Sequence, residues 1–323
     1  MRVLVTGITG FVGGHLAEAL LAREGMHLYG LSRSARWPAE WAHLAGQVPL
    51  LACDLTDRAA VERVVAQVRP EWVFHLAGYA HVGQSFADVD AVWANNLDAT
   101  RQLYEAILRW GGRPRILYVS SGHVYGTPAG PEVSFDEASP LQPTSPYAAS
   151  KAAADLMSYQ YSQSAGLHVV RARPLNHVGP RQAPHYAVAN FARQLAAIEA
   201  GQQPPIVETG NLAACRELTD VRDVVQAYVL LLEHGQPGEV FNVGSGQAYS
   251  MHTVLDRLIA LTRVPVEVRP QAELMRPVDA PVLRLNSSRL RAVTGWAPRW
   301  SLEQTLSDAL DYWRTVFRSG DRQ

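Results

Sequence analysis

The chain has 323 residues and is 47% hydrophobic. That is enough for about two domains and a large core. A formal net charge of −1 with no basic block excludes an electrostatic nucleic-acid binder. No apolar run approaches the ~18 residues of a membrane span, and the chain enters an apolar strand at once, so neither a membrane partner nor a secretory signal is expected. Cys53 and Cys215 form no disulfide framework and no metal-ligand spacing, which points to a reducing cytoplasm and to no bound metal.

The first element is Val3-Leu4-Val5-Thr6, an apolar run of the kind buried in a parallel sheet. It breaks into Gly7, Gly10 and Gly13 and continues as a helical pattern. Strand, glycine turn and helix set a helix N-terminus against a phosphate. Gly7 makes the tight turn, Gly10 lets the backbone approach a pyrophosphate, and Gly13 lets helix and strand pack closely. Thr9, Phe11 and Val12 are counted with them as cofactor-binding. The spacing is G-x-x-G-x-x-G rather than G-x-G-x-x-G. Such a turn also occurs without any ligand, but its place after a first strand favours dinucleotide binding.

Strand patterns follow at 27–32, 50–54, 72–78, 116–120 and 167–172, and helical patterns at 59–68, 91–110 and 146–165. This alternation predicts an α/β fold, a Rossmann-type doubly wound parallel sheet covered on both faces. Ligands on such sheets lie at the carboxyl ends of the strands. Ser32, Arg33, Asp54, Leu55, Leu76, Ala77, Gly78 and Ser121 therefore become candidates. Asp54 also reads as a helix cap and Ala77 as a packing residue. Ser32-Arg33-Ser34-Ala35-Arg36 carries no acid for a ribose diol, and Arg33 suits a 2′-phosphate. NADP(H) is therefore preferred, with NAD(H) possible; the other reading of Arg33 is a solvated loop arginine. From Arg173 onward prolines multiply, and helices are predicted only at 221–233, 251–262 and 302–317. We assign residues 1–172, with 221–245 returning to them, to the cofactor domain. Residues 173–220 and 246–323 make a smaller mixed α/β substrate domain.

Tyr147 and Lys151 stand four apart at the start of a helix, on one face. An ammonium beside a phenol favours the phenolate, and a tyrosine so tuned exchanges protons with a carbinol or carbonyl. A surface pair has the same spacing. Ser120 and Ser121 close a strand where a hydroxyl meets a substrate oxygen, although serines also form turns there.

Together these signals resemble the short-chain dehydrogenase/reductase superfamily. The length and second domain resemble its extended branch of nucleotide-sugar epimerases, dehydratases and reductases. The likeness covers Thr6-Gly7 to Gly13, Asp54-Leu55, His75-Leu76-Ala77, Asn96, Ser121 to Gly126, Tyr147 to Lys151, Asn176 to Pro180 and Arg216 to Asp223. It implies that Ser121, Tyr147 and Lys151 are catalytic, the first two on the reacting sugar oxygen and Lys151 on the nicotinamide ribose. It further implies Asp54 at the adenine, Ala77 at the nicotinamide and Asn96 supporting the catalytic helix.

The segments around His81–Phe86, Arg173–Gln182, Glu217–Asp223 and Met275–Leu283 are similar to a subgroup of reductases acting on GDP-4-keto-6-deoxyhexoses. By that resemblance Ser85, His123, Asn176, Arg181, Arg216 and Arg276 bind the substrate, the last two at its diphosphate. Without it, the arginines read as surface ion pairs. Asn286 departs from the expected aspartate. Dehydratases of the branch carry an acid where His123 stands, so elimination of water is disfavoured. The expectation is NAD(P)H-dependent reduction of a C4 keto group, giving GDP-D-rhamnose. A 4-epimerase, a GDP-mannose 4,6-dehydratase and a non-catalytic dinucleotide-binding scaffold are the alternatives. The resemblance also implies a homodimer through a four-helix bundle of 91–110 and 146–165, with Leu103, Ile107, Leu156 and Tyr159 as apolar positions. His75 and His177 are expected to make structural hydrogen bonds.

Overall fold

The computed structural model describes residues 1–130, 133–274 and 282–320. Seven strands form one parallel sheet: β1 Arg2–Thr6, β2 His27–Ser32, β3 Leu50–Ala52, β4 Trp72–His75, β5 Arg115–Val119, β6 His168–Pro174 and β7 Val240–Val243. Their order across the sheet is 3-2-1-4-5-6-7. The direction of winding reverses between β1 and β4, and a crevice opens there at the strand ends. Val3, Leu4 and Val5 of β1 and Val73 and Phe74 of β4 are wholly buried, as strands covered on both faces must be.

The helices Phe11–Leu21 and Val221–His234 pack on one face, joining Leu16, Leu20, Val224 and Tyr228 to a core with Phe74 and Leu117. On the other face Val61, Val65, Leu103, Tyr104 and Ile107 pack over Leu4, Val73 and Ile116. A separate core holds Phe191, Leu195, Val254, Leu258, Leu306 and Leu310. They come from the helices Ala187–Glu199, Met251–Leu261 and Leu302–Gly320. None of the three is long and apolar enough to cross a membrane, and neither is any other helix among the described residues.

The structure corrects several local expectations. The predicted helix 91–110 is three pieces: Val89–Trp93, a π-turn Ala94–Asp98, and Ala99–Trp110. Leu103 and Ile107 are core residues with no exposure, not interface positions; Leu156 and Tyr159, at 57% and 47%, do face outward. Two further helices, Ala187–Glu199 and Ser288–Thr294, lie in the proline-rich half, where the flanking prolines obscure their periodicity. Asn286 N–H donates to Phe135 O and its side chain accepts from Ser288 N–H, a folding role at a helix start.

Under the helix Pro146–Ser164 lies a buried ionic network. Asp155 accepts from Arg171 Nη1 at 2.7 Å and from Arg173 Nε and Nη2 at 2.9 Å each. Arg173 Nη1 also donates to Tyr125 Oη, which donates to Asn242 Oδ1 at 2.7 Å. Burial pushes the Asp155 carboxyl upward, but Arg173 and then Arg171 outweigh it and hold the group below the usual range. This network fixes the helix that carries Tyr147 and Lys151 to β6 and β7.

Candidate active site

The glycine turn is shaped by close contacts. Gly7 has φ +69°, and a Cβ there would lie 2.9 Å from Ala77 N. A Cβ on Gly13 would come within 2.3 Å of Gly7 O. Gly10 caps the helix Phe11–Leu21 with no side-chain hydrogen bond. The first-turn N–H groups of a helix have no internal acceptor, so this end fits a phosphate. Beside it Thr9 Oγ1 and Ser32 Oγ meet at 3.3 Å across the ends of β1 and β2. Arg33 is exposed just past β2. Asp54 follows β3 and accepts from Thr56 N–H and the Thr56 hydroxyl. Those two bonds, with the Arg33 charge adding, hold its carboxyl below the ordinary value. Leu55 is buried, while Leu76 and Ala77, half-buried, and Gly78, exposed, line the switch point after β4.

The floor of the crevice is a buried hydrogen-bond chain. Ala77 N–H donates to Thr6 Oγ1 at 3.1 Å, and Thr6 lies 2.8 Å from His75 Nδ1. His75 Nε2 lies 2.9 Å from Thr100 Oγ1, whose hydroxyl donates to Asn96 O. Since Thr6 accepts at one end and Thr100 donates at the other, the imidazole carries its proton on Nε2. Burial lowers its pKa to about 3, with Lys151 adding, so it stays neutral. Asn96 lies within the π-turn; its Nδ2 donates to Ser150 Oγ at 2.9 Å and its Oδ1 accepts from Tyr79 N–H at 2.8 Å. The extra residue of the π-turn lets one asparagine brace both the helix that carries Tyr147 and the loop after β4.

Ser121 follows β5 in an extended conformation and caps the short turn Gly122–Tyr125, accepting from His123 N–H. Tyr147 sits in the first turn of its helix, which opens with Pro146 and is capped by Ser145. Both side chains are buried, as is Lys151. Ser121 acts on the Tyr147 phenol from close by, favouring its ionised form. Lys151 Nζ donates to Val119 O at 2.9 Å and lies 5.5 Å from the Tyr118 ring centroid. Burial lowers its pKa to about 8. The expectation that this ammonium depresses the phenol is corrected: burial raises Tyr147 above its ordinary value, against the pull of Ser121.

Among the expected substrate residues, the His123 ring lies 6.4 Å from that of Tyr147. Ser85 is buried and donates to Val82 O at 2.6 Å. Asn176 Nδ2 donates to Glu217 O at 3.2 Å, and Arg216 Nη1 to Cys215 O at 2.7 Å. Arg181 is not with them. It adopts φ +69°, stacks 4.6 Å over Trp41 and pairs with Glu18 of the first helix at 3.3 Å. Arg276 lies outside the described residues. Sequence reading missed His185 and Tyr186, which pack with His81 at centroid distances of 4.3 to 5.9 Å. Tyr186 is among the groups that raise the Tyr147 phenol. Neither residue has a spacing that would mark it. Among the described residues no cluster of His, Cys, Asp or Glu could hold a metal.

Residues 4–309 match the family described as GDP-mannose 4,6 dehydratase. The chain belongs to this family. Its relatives there include the GDP-6-deoxy-D-mannose reductase of Pseudomonas aeruginosa, 34% identical over 98% of both chains. The UDP-glucose 4-epimerase of Mycolicibacterium smegmatis is 32% identical over 97% of this chain and 99% of its own. Among solved structures, RMD from Pseudomonas aeruginosa complexed with NADPH superposes with a TM-score of 0.86 at 33% identity, covering 98% of this chain and 99% of that one. The Thermus thermophilus UDP-glucose 4-epimerase complex with NAD gives 0.85 at 32% identity, covering 97% and 99%.

Proposed function

We propose that this family member reduces the C4 keto group of a GDP-4-keto-6-deoxy-D-mannose-type nucleotide sugar, with NADPH preferred over NADH. The observation that carries this reading is the buried Tyr147–Ser121 pair at the strand-end crevice, with His123 rather than a carboxylate beside it. The coenzyme, when bound, supplies a hydride to the keto carbon. Gly7, Gly10 and Gly13 would admit its pyrophosphate to the helix start, and Thr9, Ser32, Arg33 and Asp54 would hold its adenosine end. Ala77, Gly78 and Lys151 would line its nicotinamide end. Because burial keeps the Tyr147 phenol protonated at neutral pH, Tyr147 acts as an acid, giving its proton to the oxygen at C4. Ser121 hydrogen-bonds the same oxygen. Lys151 is cationic below about 8 and would hold the ribose at the nicotinamide end. Asn176, Arg216 and Arg276 are proposed for the nucleotide diphosphate.

The test is to mix the chain with the keto sugar and follow reduced-nicotinamide absorbance. NADPH should be consumed faster than NADH, and Arg33→Ala should narrow that preference about tenfold through loss of one phosphate contact. No consumption of either coenzyme would sink the reductase reading. The likeness to UDP-glucose 4-epimerases keeps one second reading, a 4-epimerase. It is distinguished by tightly retained coenzyme with no net consumption.

The outward Leu156 and Tyr159 on the helix Pro146–Ser164 support a homodimer built on that helix. Light scattering should give twice the 35.4 kDa mass of the chain; a monomer at micromolar concentration would count against it. The free cysteines Cys53 and Cys215 suit a reducing, cytoplasmic compartment.

A further inference from the structure

Glu217 is wholly buried and has no part in the chemistry assigned above. It ends the strand Cys215–Glu217, which pairs antiparallel with Ala248–Ser250. Neighbouring strand residues point to opposite faces, so Glu217 turns away from its neighbour Arg216 and into the protein. There its Oε2 accepts from Leu285 N–H at 2.8 Å. Its Oε1 has no hydrogen-bond donor among the described residues. That oxygen lies so close to Gly244 that a Cβ there would come within 2.0 Å of it. Gly244 is itself pinned, its N–H donating to Ser287 Oγ at 3.1 Å and its carbonyl accepting from the same hydroxyl at 2.9 Å. The Glu217 main-chain carbonyl accepts from Asn176 Nδ2. One residue thus gathers the strand of Arg216, the side chain of Asn176, the turn after β7 and the segment through Leu285.

Burial lifts this carboxyl to about 7, outweighing the Leu285 N–H and the charges of Arg284 and Arg291. A wholly buried acid with one unanswered oxygen is a costly way to hold a fold together. An apolar residue in its place would leave Leu285 N–H without an acceptor and the two segments unlinked.

We propose that Glu217 is a positioning residue for the phosphate end of the substrate. It locks the strand of Arg216, and with it Asn176, to the Gly244 turn and the Leu285 segment. This rests on the nucleotide-sugar reading above, which sets a diphosphate against Arg216 and Asn176. Neither Leu285 nor Gly244, which neighbour the Glu217 carboxylate, is assigned above to the coenzyme or to the reacting oxygen, so loss of Glu217 separates binding of the two ligands.

The test is calorimetric titration of GDP and, separately, of NADPH into the wild-type chain, Glu217→Ala and Glu217→Gln. Glu217→Ala should weaken GDP by about tenfold or more and leave NADPH within about twofold. Glu217→Gln keeps an acceptor for Leu285 N–H and should hold GDP within about threefold of wild type. GDP affinity unchanged in Glu217→Ala, or GDP and NADPH weakened alike, would overturn the inference. If Glu217→Ala does not fold, Glu217→Asp, which withdraws the carboxyl, should weaken GDP by about threefold with NADPH unchanged; unchanged GDP binding there overturns the inference equally. A wild-type chain that binds NADPH but no GDP would overturn the substrate reading itself, and this inference with it.

Discussion

Tyr147→Phe should lower kcat by about 10²- to 10⁴-fold, the range for removing a positioned acid, and leave NADPH binding within about twofold. The ring is 9% exposed, and phenylalanine fills the same space, so stability should barely move. What is lost is the proton donor. Ser121 remains and can still hydrogen-bond the substrate oxygen while accepting from His123 N–H, but an aliphatic hydroxyl is too weak an acid to replace the phenol. Lys151 is no substitute, since its ammonium is tied to Val119 O and stands one turn along. Nicotinamide absorbance measures the turnover, and fluorescence titration measures coenzyme binding. A variant retaining more than about a tenth of the wild-type rate would remove Tyr147 from the chemistry.

Asp155→Ala should destabilise the fold by about 3–5 kcal/mol, the usual result of removing one partner of a buried ion pair. Two guanidiniums depend on this carboxylate, and Arg171 and Arg173 are themselves buried. Loss of the acid leaves both charges buried without a counter-ion, with only Gly238 O and Tyr125 Oη as remaining acceptors among the described residues. The pH dependence follows from the sign of the shift. The folded carboxyl sits below its unfolded value, so its stabilisation is complete above the unfolded pKa and is lost as pH falls through the lower, folded one. The wild type should therefore lose stability on acidification that Asp155→Asn does not lose. Urea midpoints across pH would show this, and a change under about 1 kcal/mol for Asp155→Ala would refute it.

Much of the architecture is legible because it is written in local patterns. The β1 run, its glycines and the alternation of strands and helices belong to contiguous residues, and the sheet follows from them. The same holds for Ser121 at the end of β5 and for Tyr147 and Lys151 on one helix face. What escapes is set by distant partners. The π-turn exists because Asn96 reaches Ser150 and Tyr79; nothing in residues 91–110 shows it. By resemblance Arg181 belongs with the substrate-binding residues, but Trp41 and Glu18, far back in the chain, hold it beside the first helix. Leu103 and Ile107 have the spacing of an interface stripe, and only the sheet beneath them makes them core. The sign of the Tyr147 shift also depends on burial, which tertiary packing decides. Arg276 lies outside the described residues, so its role rests on resemblance.

The imidazole between Thr6 and Thr100 carries a consequence for acid-base behaviour. A ring that refuses a second proton until about 3 keeps donor and acceptor ends fixed from mild acid to alkali. The polarity of that line of contacts cannot invert, so the Ala77 N–H, at the strand-end crevice, keeps its acceptor throughout. Variation of rate with acidity near neutrality must then originate among the ionising groups above this platform, and not from the platform shifting beneath them.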